Sequence, residues 1–359
     1  MVRKKRAFVV GYYDMSNFGD DLFCGVIAAR AEKLLPGYQV HIIRQTSPRK
    51  RNLFASTSFL GAIYRLTIGI YTVMRADLIV LGGGSVLWGV SGVRKVQWWL
   101  SKITGTQFES LGVSIGPFAS PSDRADVASF LGSNNRVVVR DNSSQLLGAE
   151  LAPPFEFGMG GDLASLYPLA GHRQNKNVIE ERNIGLALCN FPDFGVTDVD
   201  ALVGGLIRAL DETSVSGVLD RVHVISLNGH PVFGDEAISE RAVSLLERAG
   251  VQVDFVKYRP GRVDELWAAI SSLDGLVAVR LHAAICAYLS AVPFTVLEYH
   301  QKCADFCDDV GQDDSLRVRS IPNEQESKEQ ILQLLNSRAT PKFAPSAYVE
   351  RAHSIYFGD

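Results

Sequence analysis

Cysteine is scarce. The chain has five in 359 residues, scattered and odd in number, so no disulfide framework is implied. Cys303 and Cys307 share a helical face, but two thiols do not make a zinc site. Neither sign of charge dominates: 36 Lys and Arg against 39 Asp and Glu leave a net charge of −3. That argues against nucleic acid as the main partner. Long apolar runs are also missing. Residues 59–74 are apolar but carry Arg65, with Arg75 just beyond, and are too short and too charged to span a bilayer. The run at 7–10 behind Lys4-Lys5-Arg6 is too short for a signal-peptide core and lacks a cleavage pattern, so it reads as a first strand. These absences point to a reduced, cytoplasmic enzyme that at most touches the inner face of a membrane. What is plentiful is apolar character, 47% of residues, enough to bury two cores of ordinary domain size.

The most informative stretch is 274–307. Residues 276–279 have the length and apolarity of a buried parallel strand. Arg280-Leu281-His282 follows. From His282 to Ala291 nearly every residue is apolar, which predicts a helix buried almost all round. Pro293 ends it. Residues 294–297 form a second buried strand, followed at once by Glu298, Tyr299, His300 and Lys302. This is a βαβ unit with a polar cluster at the carboxyl end of each strand, the edge where open α/β sheets bind ligands. Successive parallel strands usually lie side by side, so Arg280, His282, His300 and Lys302 are expected to meet. A strong base, an amine and two imidazoles suit a small, doubly charged anion with an acid/base group beside it. Any one of these residues alone reads as a cap or a solvated charge. The four together, beside so apolar a helix, read as a site.

Earlier in the chain, the strand at 7–12 leads through Asn17-Phe18-Gly19-Asp20-Asp21 into a helix ending near Leu35. Gly19 allows a tight turn, and Asp20 or Asp21 suits an N-cap. A carboxylate at this first strand-to-helix turn would repel phosphate but accept a hydrogen bond from a sugar hydroxyl, so the loop reads as acceptor territory. Residues 45–57 are polar and basic and read as a loop. A strand at 77–81 ends in Gly82-Gly83-Gly84-Ser85, where a ligand could approach the backbone closely. The run matches neither the dinucleotide nor the Walker pattern. Trp88, Trp98 and Trp99 follow, suited equally to a sugar or to a core. The strand at 137–139 ends in Arg140-Asp141, either a ligand contact or a structural pair. Residues 171–182 are charged, without apolar periodicity, and read as a linker. Beyond it His230, Lys257 and Arg259 stand at further strand ends. From 323 onward the chain is helical and polar, with Ile331, Leu332 and Leu335 on one face.

Arg280-Leu281-His282, the small-residue helix, Pro293, Glu298-Tyr299-His300-Gln301-Lys302 and Phe306 together resemble the signature of the polysaccharide pyruvyltransferase family. Asn17-Phe18-Gly19-Asp20 resembles that family's Asn-x-Gly-Asp element, and Arg140-Asp141 with Ser143 its Arg-acid-Ser element. The resemblance runs from about residue 12 to residue 306. It departs near Asn190, where many relatives carry an arginine. It implies an α/β fold of the GT-B type: two doubly wound Rossmann-like domains facing across a cleft. The first, 1–170, would be the acceptor side and the second, 171–322, the donor side, with a helical tail, 323–359, returning to the first.

The activity implied is transfer of the pyruvyl group of phosphoenolpyruvate to a sugar of a cell-surface polysaccharide or its precursor, free or lipid-linked. A pyruvate ketal forms and phosphate leaves. Arg280 and His282 fall in the family's donor site, with His282 the favoured acid/base. The chemistry of the reaction suggests Lys302, His300 and Arg140 for the donor's anionic groups. It suggests Asn17, Gly19, Gly83, Gly84 and Glu298 for the acceptor, and Asp20 for its hydroxyl. Neither a metal nor a cofactor is required, since phosphoenolpyruvate is a co-substrate. Two other readings stand beside this one. A nucleotide-sugar glycosyltransferase of GT-B fold would bind a nucleotide diphosphate, and a non-catalytic glycan-binding protein would bind sugar without releasing phosphate. The acid is His282 or, failing it, His300.

Overall fold

A computed structural model describes residues 4–151, 156–171, 181–191, 195–213, 219–230, 234–336 and 339–358. Most of the expected linker at 171–182 lies outside them. The chain forms two compact units, the first of Met1–Met15, Asp20–Pro168 and Glu350–Asp359, the second of Ser16–Gly19 and Leu169–Val349.

The first unit alternates strand and helix: β1 (Lys5–Val10), α1 (Phe18–Leu34), β2 (Tyr38–Ile42), α2 (Pro48–Ala55), α3 (Phe59–Arg75), β3 (Leu78–Leu87), α4 (Gly92–Thr104), β4 (Gln107–Ile115), α5 (Pro121–Leu131), β5 (Asn134–Val139), α6 (Asn142–Glu150) and β6 (Glu156–Met159). The sheet is parallel in the order β2-β1-β3-β4-β5-β6. Its core packs Phe8, Ile79, Phe108, Phe130, Val137 and their neighbours. Two details differ from the sequence reading. Residues 48–55, expected as loop, are helical, because Ser47 accepts from the Lys50 N–H and Pro48 occupies the first turn. And β3 does not stop before its glycines: Gly82 pairs with Leu111 and Gly84 with Val113. Packing explains the first two glycines of the run. A Cβ on Gly82 would stand 2.4 Å from the Tyr13 hydroxyl, and one on Gly83 2.4 Å from the Phe23 ring.

The second unit repeats the pattern: β7 (Glu181–Ala187), α7 (Val196–Thr213), β8 (Leu219–Ser226), α8 (Glu236–Arg248), β9 (Gln252–Lys257), α9 (Val263–Ser271), β10 (Gly275–Ala278), α10 (Leu281–Leu289), β11 (Phe294–Leu297), α11 (Gln301–Val310), β12 (Arg317–Val318), α12 (Glu324–Asn336) and α13 (Pro345–Phe357). This sheet is also parallel, in the order β12-β11-β10-β7-β8-β9. The predicted βαβ unit is present. Leu276 pairs with Phe294 and Ala278 with Val296, and α10 buries Leu281 and every residue from Ala283 to Leu289.

The tail divides rather than returning whole. α12 lies on α7, where Gly205 leaves no room for a Cβ against Ser327 (2.4 Å). Glu350–Asp359, the latter part of the chain from within α13, groups with the first unit. There Arg136 donates to the Ile355 and Tyr356 carbonyls (2.7 and 2.8 Å), and the Tyr356 hydroxyl donates to the Gly161 carbonyl (2.8 Å). Among the described residues no single helix is long and apolar enough to cross a membrane.

Candidate active site

In the second sheet β7 is laid down first; β8 and β9 extend it on one side, and β10, β11 and β12 on the other. The connections diverge between β7 and β10, and the crevice outside the carboxyl ends at such a point is the usual ligand site of an open α/β sheet. Arg280, at the end of β10, is the N-cap residue of α10. Its guanidinium forms a two-pronged pair with Asp235, Nε to Oδ2 at 2.7 Å and Nη2 to Oδ1 at 2.5 Å. Asp235 stands at the N-cap position of α8 yet makes no side-chain cap. Its carboxylate instead accepts from the Asn190 N–H (3.0 Å) just past β7, while its own N–H donates to the Asn228 carbonyl (2.8 Å) past β8. Burial pushes the Asp235 carboxyl up from its usual range, and Arg280 and the Asn190 N–H pull against this. Three strand ends are thereby tied around one ion pair, and this pair fixes the direction of the Arg280 fork. The Arg280 expected from sequence was a cation open to the donor. The structure shows one with its Nε–Nη2 edge engaged by Asp235.

His282 is the second residue of α10, in its first turn. Against its ring lies the Asn17-Phe18-Gly19 segment. Phe18 is fully buried, its ring edge-on to Tyr258 at 5.5 Å. The Phe18 N–H donates to the Leu227 carbonyl (2.9 Å), the Gly229 N–H donates to the Ser16 carbonyl (2.9 Å), and Asn17 bridges Asn228. The Asn17 side chain accepts from the Gly19 N–H at 3.2 Å. A Cβ on Gly19 would stand 2.1 Å from His282 Nδ1, so only glycine admits the imidazole here. Asn17 and Gly19 were expected on the acceptor side, in the N-terminal domain. The structure groups them with the second unit, because the Phe18 side chain and backbone pairing anchor them to its β8 edge.

At the end of β11, Tyr299 stacks on Phe191 (ring centroids 4.4 Å) and accepts from the Cys189 thiol at 3.4 Å. The Lys302 ammonium stands over the Tyr299 ring, 5.5 Å from its centroid. Burial pushes the Cys189 thiol up; Arg280 and Lys302 oppose this, and Asp235 adds to it. Contacts run from Lys302 over the Tyr299 ring to Cys189, whose neighbour Asn190 donates to Asp235. His300 is exposed and caps α11, its Nδ1 accepting from the Lys302 N–H at 3.2 Å. Glu298 is bonded to Arg317 with both side chains largely buried, so its carboxylate braces β11 against β12.

The first unit has its own divergence point at β1, flanked by β2 and β3. Asp20 meets Gly84 there: Oδ1 lies 3.9 Å from where a Gly84 Cβ would be, a position otherwise nearly open. The Tyr12 phenol is pushed up, first by burial and then by the Asp20 charge. So Asp20, Gly84 and Tyr12 stand together, while Gly83 serves packing. Arg140 is buried within the unit, bonded to Ser85 (3.0 Å) and paired with Asp141 (3.4 Å) and Asp162 (3.8 Å). These partners account for its burial in the first unit.

The sequence pattern of polysaccharide pyruvyl transferases matches residues 17–301. The chain belongs to that family. The match begins at Asn17 and ends at Gln301, so it takes in both the Gly19 segment and the Arg280–His282 segment. Solved structures share the fold at low identity. A candidate UDP-N-acetylglucosamine 2-epimerase from Listeria monocytogenes superposes with a TM-score of 0.65 at 10% identity, over 100% of this chain and 98% of that one. The UDP-GlcNAc 2-epimerase of Methanocaldococcus jannaschii in complex with UDP-GlcNAc and UDP gives 0.61 at 11%, over 99% and 100%. The lipopolysaccharide outer core galactosyltransferase WaaB gives 0.53 at 10%, over 99% and 97%. These likenesses establish a GT-B-like architecture of two parallel-sheet α/β units. No curated protein matches the chain in sequence.

For this pyruvyl transferase family member, sequence reasoning missed Asp235, Asn190, Asn228 and the Tyr299–Phe191 stack. Gly234-Asp235 ahead of a helix looks like an ordinary N-cap, and nothing in the sequence shows the carboxylate turned to Arg280 instead. Asn190 stands where the family resemblance departs; what it supplies is a backbone N–H to Asp235 and an amide donor to the Gly234 carbonyl (3.2 Å). Chemically, the second unit offers an ion-paired arginine, a lysine on an aromatic face and an imidazole at a helix N-terminus. That set can hold a phosphate and a carboxylate and move one proton.

Proposed function

We propose that this protein transfers the pyruvyl group of phosphoenolpyruvate to a saccharide acceptor in the cytoplasm, forming a pyruvate ketal and releasing phosphate. One observation carries the reading: His282 of the Arg-x-His element packs against Gly19 of the Asn-x-Gly-Asp element, at the divergence point of the second sheet. Two short segments far apart in the chain meet where a ligand is expected.

In this reading Arg280 and Lys302 hold the anionic donor. Arginine suits a carboxylate with two parallel N–H groups, and lysine suits phosphate as a point charge. His282 protonates the enol carbon. A helix N-terminus disfavours imidazolium, and a bound dianion favours it, so donor binding itself would arm the acid. An acceptor hydroxyl then adds to the oxocarbenium-like carbon and loses its proton to Asp20. Phosphate leaves with its bonding electrons, and a second hydroxyl closes the ketal, giving its proton to the His282 imidazole and so restoring the acid. Asp20 follows Gly19 directly in the chain, so the acceptor base and the segment that seats His282 are covalently adjacent. The reaction as written needs no metal or further cofactor.

Calorimetry decides between this and the nucleotide-sugar reading. Phosphoenolpyruvate should bind the parent and bind Lys302→Ala more weakly, by about 1.5–3 kcal/mol for one lost charge-assisted contact. Binding of UDP with none of phosphoenolpyruvate would contradict the proposal.

A further inference from the structure

The outward face of α3 is built the wrong way round for a helix in contact with water. Phe59, Ile63, Leu66, Ile70 and Met74 recur at helical spacing and are all exposed, Phe59 by 79% and Met74 by 61%. Leu60 and Tyr71 flank them. The face turned inward is made of Gly61, Gly69, Thr72 and Val73. Exposed apolar residues are ordinary singly, but an unbroken stripe along a 17-residue helix marks a surface that something covers. Three observations indicate what. From Arg44 to Ala76 the chain contains six basic residues (Arg44, Arg49, Lys50, Arg51, Arg65, Arg75) and no acidic one. Arg49 and Lys50 are exposed on α2 and Arg75 at the end of α3, while Arg44 is paired with Asp14 and Arg65 turns to the Phe54 and Ser56 carbonyls. α2 and α3 together reach the apolarity of a membrane segment but bend by 103° between them. An apolar helix face rimmed by arginine and lysine, too short and too bent to cross, is the pattern of an element lying in the plane of an anionic membrane surface. On another side, α3 contributes Ala62, Arg65, Ile68 and Gly69 to a mainly apolar pocket of about 480 Å³ that Val10, Phe54 and Leu81 also line.

We propose that α2 and α3 dock this protein on a bilayer bearing anionic phospholipid headgroups, with the α3 stripe in the acyl boundary and the basic ends of the pair on phosphate. The inference stands apart from the pyruvyl-transfer reading, because docking is measured without substrate.

The test is co-sedimentation of the full chain with vesicles of phosphatidylcholine alone or mixed with phosphatidylglycerol. The parent should sediment with the mixed vesicles and be released by high salt. Arg49→Gln/Lys50→Gln should weaken partitioning about 25-fold, at roughly fivefold per charge near the surface. Ile63→Glu/Ile70→Glu should abolish it with the thermal midpoint unchanged, since both side chains are exposed. Failure of the parent to sediment with anionic vesicles overturns the proposal. So does sedimentation of Ile63→Glu/Ile70→Glu at the parent's level. A parent that ignores vesicles but forms a dimer dissociated by Ile63→Glu/Ile70→Glu would assign the stripe to a second copy of the chain, and would equally overturn it.

Discussion

Replacing Gly19 by alanine is a sharp probe of the site, because two effects of opposite sign compete. Gly19 lies in the first turn of α1 without a positive φ, so alanine suits its backbone. In an open helix the change would stabilise the fold by about 0.5–1 kcal/mol. Here the new methyl would stand 2.1 Å from His282 Nδ1 and 2.3 Å from Cε1. Ordinary contact needs roughly 3.5–4.0 Å, so the ring or the segment must retreat by about 1.5 Å. Overpacking of this kind costs about 1–3 kcal/mol. The net expectation is a loss of up to about 2.5 kcal/mol in urea unfolding. Turnover should fall about 100-fold, because displacement of a catalytic group by about 1 Å costs that much. The control is the same substitution in His282→Ala. With the ring gone the clash disappears, and Gly19→Ala should become stabilising by about 0.5–1 kcal/mol. If Gly19→Ala raises stability in the parent and leaves phosphate release from phosphoenolpyruvate unchanged, the seating of His282 by this segment is wrong.

Three further outcomes follow from the same geometry. Asp235→Asn leaves a largely buried arginine without its counter-ion and should cost about 3–5 kcal/mol in unfolding free energy, part of which Asp235→Asn/Arg280→Met should restore; parent-like stability of the single variant would show that the pair does not organise the strand ends. His282→Gln keeps a hydrogen-bond donor but cannot supply the proton, so turnover at saturating donor should fall about 100-fold or more with donor affinity little changed. Parent-like turnover would pass the role of acid to His300. Asp20→Asn should lower turnover while phosphoenolpyruvate affinity holds, and equal losses in both would contradict an acceptor role for Asp20.

The βαβ unit around Arg280 was legible because its elements are short apolar runs bounded by polar residues and by Pro293, and α10 is buried as its composition requires. The adjacency of the strands that Arg280 and Lys302 follow was legible for the same reason, and β10 and β11 pair directly. The placement of Asn17 and Gly19 was not. Chain order assigns a loop to the strand before it, whereas the Phe18 anchor and its backbone bonds to Leu227 and Gly229 hold this segment to the other unit. Glu298 and Arg140 end strands, and for Arg140 the sequence left a ligand contact and a structural pair open; strand ends also carry ion pairs that hold a sheet together, here with Arg317 and with Asp141 and Asp162. α2 was hidden by its polarity: a helix with no buried residue has no apolar period to read, and only Ser47-Pro48 signals its start.

The central claim is the chemistry, and phosphate release from phosphoenolpyruvate tests it most directly. The purified protein is incubated with phosphoenolpyruvate and a panel of saccharides, free and lipid-linked, and phosphate and the saccharide product are both measured. Phosphate should appear only when an acceptor is present, in step with a ketal-bearing saccharide, and His282→Gln should nearly abolish both. Turnover of a UDP-sugar in the same panel with phosphoenolpyruvate untouched, or saccharide binding with no phosphate released from any member, would contradict it.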